Sequence, residues 1–219
     1  MLGPLATDAK LEPIAQSDEP VAQSPAGPIL LVQDLFTGDY GTFLSEHDPD
    51  INVGGNPWTR LTGPPEYEII LDGQGVAKNA PGSNFSASTI DIDPIGGPDP
   101  AGAIQMEIDI KPTPYSAGGV VACAAGQNWI EAGYVDIATV GIRKRNFEGY
   151  GGPLTSILWP DGAGQFAHFI FTVAENGDLT LEWPGGTLTA HYEPYLGNPG
   201  FGVFTGNNIQ LDNLKITRL

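Results

Sequence analysis

What most constrains this chain is its rhythm. From Pro28 onward, short apolar segments follow one another every ten residues or so, separated by glycine, proline, asparagine and aspartate. The first are "ILLVQDLF" (29 to 36), "EYEIIL" (66 to 71), "SASTIDID" (86 to 93) and "AIQMEIDI" (103 to 110). "GVVACA", "WIEAGYVDIA", "VGIRKRN", "LTSILW", "FAHFIFTVA", "DLTLEW", "TLTAHY", "FGVF" and "IQLDNLKITRL" complete the series. No long stretch carries apolar residues at helical spacing between helix caps, so helix content is expected to be minimal.

Thirteen or so strands in 219 residues imply two stacked sheets, that is, an all-β, two-sheet antiparallel β-sandwich over residues 29–219. With 30 glycines and 20 prolines in the chain, the excess of these residues belongs to turns between many short strands. Asn176-Gly177 is expected to supply the positive φ angles of a tight hairpin, and Pro184-Gly185-Gly186 a second one, giving a three-stranded meander. In the last segment the apolar phase switches from Ile209 and Leu211 to Leu214 and Ile216. A one-residue bulge near Asp212-Asn213 explains that switch.

Residues 1 to 28 differ. Pro4, Pro13, Pro20, Pro25 and Pro28 stand among small and acidic residues without periodicity, which predicts an extended N-terminal arm. Such an arm either packs along its own domain or lies on a neighbouring subunit; the neighbour is the preferred reading, so a homo-oligomer or larger assembly joined through it is expected. The start has neither a basic nor an apolar leader segment, so no secretory signal or membrane anchor is expected there.

Twenty-six acids stand against nine bases, a net charge of −17. That surface repels phosphate backbones and anionic lipid, which argues against nucleic acid and membrane as partners. Cys123 is alone in an apolar run, so no internal disulfide can form, and a buried reduced thiol is expected. Arg143 and Arg145 share one strand face in the one basic cluster. They are candidates for docking onto acidic groups, including a neighbour's arm.

The candidate chemistry centres on "MEIDIKP". A strand there puts Glu107, Asp109 and Lys111 on one face and Ile108 and Ile110 on the other. Asp91 and Asp93 alternate in the same way. Among loops, "SEHDPDINVGG" offers Asp48 and Asp50 as oxygen ligands for a structural calcium ion, the one cofactor the sequence makes room for, though without EF-hand spacing. His47, His168 and His191 lie far apart, with no zinc-site spacing. No G-x-S-x-G elbow and no phosphate-binding glycine loop is present. Trp58, Trp129, Trp159 and Trp183, with Tyr40, Tyr115, Tyr150, Tyr192 and Tyr195, would stack on sugar rings where exposed and plug the core where buried.

"DLFTGDYGTFLSEHDPDINVGGNPWTRLTG", "GQGVAK" and the closing "LTLEWPGGTLTAHY", "GFGVFTG" and "IQLDNLKITRL" resemble laminin-G-like domains of the concanavalin A-like lectin/glucanase superfamily, of the kind found in bacteriophage virion proteins and secreted bacterial proteins. The resemblance implies a jelly roll in which the first and last strands lie side by side. It also implies a Glu-x-Asp-x-Glu strand in the glucanases, placing Glu107 on the nucleophile, Asp109 on the orienting residue and Lys111 on the acid/base. It further adds Asp212 as a calcium-ligand candidate. Retaining hydrolysis requires a protonated carboxyl group about 5 Å from the nucleophile, and an ammonium cannot replace it without a pKa lowered by several units. Lys111 is expected instead to neutralise Glu107 and Asp109. The reading that follows is a non-enzymatic component of a phage virion (decoration, fibre or tail), anchored by residues 1–28 and able to bind glycan. A secreted, extracellular carbohydrate-binding module is the alternative, and a glucanase-like hydrolase the third choice.

Overall fold

The computed structural model describes residues 27–62, 68–80, 85–92, 102–113, 116–146, 151–160, 164–206 and 209–219. Residues 1–26 of the expected arm, Asp93, Tyr115 and Tyr150 lie outside them.

The described residues form sixteen strands and one 3-10 turn, Leu44–Glu46. The strands are β1 (Ile29–Asp34), β2 (Ile51–Asn52), β3 (Thr59–Thr62), β4 (Ile69–Leu71), β5 (Ala77–Asn79), β6 (Ser86–Asp91), β7 (Ile104–Lys111) and β8 (Ala117–Ala125). There follow β9 (Asn128–Asp136), β10 (Thr139–Arg145), β11 (Pro153–Leu158), β12 (Ala167–Val173), β13 (Asp178–Trp183), β14 (Gly186–His191), β15 (Gly200–Gly206) and β16 (Gln210–Arg218). They make two antiparallel sheets, a β-sandwich. One runs β14-β13-β12-β7-β16-β1-β2, with β5 pairing β16 and β4 pairing β5; the other runs β11-β10-β9-β8-β15-β6-β3. The first and last strands, β1 and β16, are neighbours.

The two sheets differ because their sequences do. In β7, Ile104, Met106, Ile108 and Ile110 are buried, while Gln105, Glu107, Asp109 and Lys111 are half-buried on the other face. Each buried aliphatic side chain contributes about 1.5–3 kcal/mol. A one-residue slip would expose all four and bury the charges, so the register of β7 is pinned. By contrast β8, β9 and β15 carry nearly continuous apolar and small residues and are buried on both faces along most of their length. Such runs mark a sheet covered on both sides. Gly133 stands opposite Gly119 and Gly141 in this sheet; at φ +133° it adopts a conformation suited to glycine, and a Cβ there would come 2.7 Å from the Gly118 carbonyl oxygen.

The meander β12–β13–β14 forms with its turns at the expected places. At the first, only Gly177 has positive φ, at +86°, and its amide donates to Ala174 O at 3.0 Å. The loop is therefore longer than the two-residue turn that positive φ at both Asn176 and Gly177 would have made. The bulge in β16 is present: Asp212 pairs with Asp109 and Lys215 with Glu107, which leaves one extra residue on β16. Asn213 absorbs it at φ +54°. Cys123 is buried at a second such irregularity, and burial pushes its thiol up to about 12. No helix among the described residues is long and apolar enough to cross a membrane.

Candidate functional site

The half-exposed face of β7 and its neighbours gathers the chemistry. Register places His168 of β12 opposite Asp109, and Lys215 of β16 opposite Glu107. Lys215 Nζ lies 2.8 Å from Glu107 Oε1. His168 stands between the two acids, Nδ1 2.8 Å from Asp109 Oδ1 and Nε2 3.7 Å from Glu107 Oε2. The bulge turns Asn213 onto the same face, where its Nδ2 donates to Asp109 Oδ2 at 2.7 Å.

Lys111 does not neutralise Glu107 and Asp109, contrary to the sequence expectation. Its Nζ sits over the ring of Phe166, 5.7 Å from the centroid. Residues two apart on a strand are about 7 Å apart, whereas directly opposed residues have Cβ atoms about 4.5–5.5 Å apart. The partners therefore come from β16 and β12. No sequence spacing discloses that, because 59 residues separate His168 from Asp109 and 108 separate Lys215 from Glu107.

Chemically, both carboxylates are occupied, Glu107 by Lys215 and Asp109 by His168 and Asn213. Among the described residues the group at His168 Nε2 is Glu107, a carboxylate, and not a hydroxyl or thiol that a base could activate. The arrangement can hydrogen-bond a polar ligand: acceptors, donors and an amide alternate on an open surface.

Asp212 faces Asp109 across the strand boundary. Its carboxyl is raised above the ordinary value, chiefly by burial, with the charges of Asp109 and Asp72 adding to that and the Asn213 amide opposing it. Asp50 accepts the Leu35 amide at 2.7 Å, and Asp48 is exposed. Among the described residues, Asp212, Asp48 and Asp50 do not come together, and no group of three or more His, Cys, Asp or Glu side chains is placed to hold a metal ion.

Arg143 and Arg145 lie on the other sheet, where both engage Glu131 of β9. Arg143 Nε donates to Glu131 Oε2 at 2.8 Å, and Arg145 forms an ion pair with the other oxygen. The Trp129 indole N–H completes the set at 2.9 Å. Glu131 is fully buried, so two guanidiniums and an indole stand in for the water it has lost.

Most of the tryptophans plug the core. Trp58, Trp129 and Trp183 are buried, and Trp159 stacks on Tyr134 with centroids 5.8 Å apart. Trp58 also donates its N–H to the fully buried Asp34 at 2.9 Å. Asp34 in addition accepts the Phe36 amide at 2.7 Å and contacts His47 Nε2 at 3.0 Å; burial raises its carboxyl, and these partners oppose the rise. Tyr192 and Tyr195 are half-buried against one another, and Tyr40 is 68% exposed.

No family model matches the chain, and no curated protein matches it either. Solved structures do. The binding domain of botulinum neurotoxin serotype D aligns with a TM-score of 0.50 at 6% identity, over 85% of this chain and 47% of that one, so this chain spans about half of the toxin domain. Domain 4 of AbnA, a GH43 extracellular arabinanase from Geobacillus stearothermophilus, aligns at 0.49 and 15% identity over 87% and 93%. Carbohydrate binding module CBM66 from Bacillus subtilis aligns at 0.42 and 15% identity over 74% and 91%. At such identities the likeness is one of fold.

Proposed function

We propose that this chain is a non-catalytic binding domain whose ligand is a glycan, held on the open face of the sheet containing β7. The observation that carries the reading is the state of Glu107 and Asp109. Each is already matched by a cation or imidazole from a neighbouring strand, and the position where a hydrolase needs its proton donor holds Lys111, turned onto Phe166. What is left is a half-exposed array of acceptors and donors suited to sugar hydroxyls.

The setting belongs to the same proposal and rests on the sequence resemblance: display on a phage virion, anchored through residues 1–28, where many copies compensate for weak single sites. Secretion as a carbohydrate-binding module would use the same face.

A glycan array on purified protein, run beside a reducing-sugar assay on each retained glycan, tests the function. Retention without release of reducing ends is expected. Turnover that disappears in Glu107→Gln would overturn the non-catalytic reading.

A further inference from the structure

One end of the open face repeats a single arrangement twice. Register sets Lys78 of β5, Gln210 of β16 and Lys111 of β7 in one row across adjacent strands. Strands lie about 4.8 Å apart, so the two lysines are rooted about 10 Å apart with the Gln210 amide between them. Each lysine reaches over a surface ring. Lys78 Nζ is 5.2 Å from the centroid of Tyr40, and Lys111 Nζ is 5.7 Å from that of Phe166. Tyr40 is 68% exposed and Phe166 43%.

A lone exposed aromatic ring needs no explanation. Here two rings mark the ends of one row, each beneath an ammonium. Lys215, Arg143 and Arg145 sit on carboxylates, while Lys144 also lies over a ring, 5.2 Å from the Tyr192 centroid. Among the described residues neither Lys78 nor Lys111 has a carboxylate within ion-pair distance, although Asp109 and Asp212 stand in the next row of a chain with net charge −17. An exposed cation–π contact is worth only about 0.5–1 kcal/mol, so each ammonium keeps nearly its full capacity for an anion.

We infer that this row is a subsite for an acidic sugar, a glycan residue carrying a carboxylate, which the two ammonium groups bracket while the Tyr40 and Phe166 rings meet its neighbours. The inference rests on the glycan-binding reading and adds the ligand's charge class. Coulomb energy falls as the inverse of distance. A carboxylate about 3 Å from an ammonium therefore gains roughly twice what it loses to an aspartate about 7 Å away, one row along the strands. Two lysines face two aspartates of the next row, Asp212 and Asp109, the latter already matched by His168 and Asn213.

The test is calorimetric titration of the full chain with an oligouronide, with the same oligosaccharide after its carboxyl groups have been reduced to alcohols, and with a panel of neutral oligosaccharides, at low and high salt. The oligouronide is expected to bind about tenfold or more tighter than its reduced form, and to weaken with salt. The Lys78→Met, Lys111→Met double variant, which keeps apolar stems over the rings, is expected to lose that difference. Equal binding of both forms would overturn the charge assignment and leave glycan binding standing. Binding to no oligosaccharide at all would overturn both. The comparison of ligands needs no variant, so a misfolded double mutant does not blunt it.

Discussion

Glu107 takes its counter-ion from Lys215 on the adjacent strand, 2.8 Å away, and not from Lys111 four positions along its own strand. Asp109 likewise finds its partner across the ladder, with His168 Nδ1 at 2.8 Å. On a pleated face the nearest neighbours are across the ladder, so a row of alternating charges within one strand says little about which charges pair.

The Glu107–Lys215 pair is open to water, its side chains 23% and 42% exposed. Glu107→Gln is therefore expected to change the unfolding free energy by about 1 kcal/mol or less, with a smaller effect at high salt. Urea unfolding at two ionic strengths measures it. A loss of several kcal/mol would show the face to be a structural network instead of a free surface.

Glu131 presents the opposite case. Glu131→Gln leaves two guanidiniums facing a neutral amide in a dry site, and a loss of about 3–5 kcal/mol is expected. Replacing Arg143 and Arg145 by methionine in the same chain should restore part of that loss, because no buried charge is then left unmatched. Chemical unfolding of the single and triple variants checks the sign. Additive losses would mean that packing, and not charge, is what these residues supply.

Asp34→Asn should cost about 1–3 kcal/mol at neutral pH, since the amide nitrogen would face the Trp58 or Phe36 N–H donor. The pH profile separates this from simple loss of packing. A raised carboxyl holds its proton more tightly in the folded chain than in the unfolded one. Its contribution to stability is thus fullest below the ordinary value of 3.8 and declines as pH rises through the folded value. Wild-type and variant unfolding curves should therefore approach each other as pH rises through that window. A pH-independent gap would refute the titration argument.

Sequence alone disclosed the sheet-forming rhythm, the two faces of "MEIDIKP" and the bulge at Asp212-Asn213, because all three are written in local periodicity. The partners of Glu107 and Asp109 were not legible, since register between β7, β12 and β16 is fixed by burial over the whole sandwich. Glu131 was equally hidden. In "WIEAGYVDIA" it reads as a polar interruption of an apolar run, and only the pairing of β9 with β10 brings Arg143 opposite it. The short strands β2, β3 and β5 also escaped, being two to four residues long and formed only where a longer neighbour templates them.

The Asp109–Asp212 opposition gives the last prediction. Like charges directly across a ladder are unfavourable, and here the bulge fixes them there by turning Asn213 toward Asp109. Burial is the largest cause of the raised Asp212 carboxyl, and the Asp109 charge adds to it. Asp109→Asn should accordingly move Asp212 down toward 3.8 without reaching it. Because a raised carboxyl loses stability as pH climbs, the variant should also lose less of it across the acid range. Carbon-13 titration of the Asp212 carboxyl in both proteins reads the shift directly. An unmoved Asp212 would mean that His168 and Asn213 already quench the charge on Asp109, leaving burial alone to hold Asp212 high.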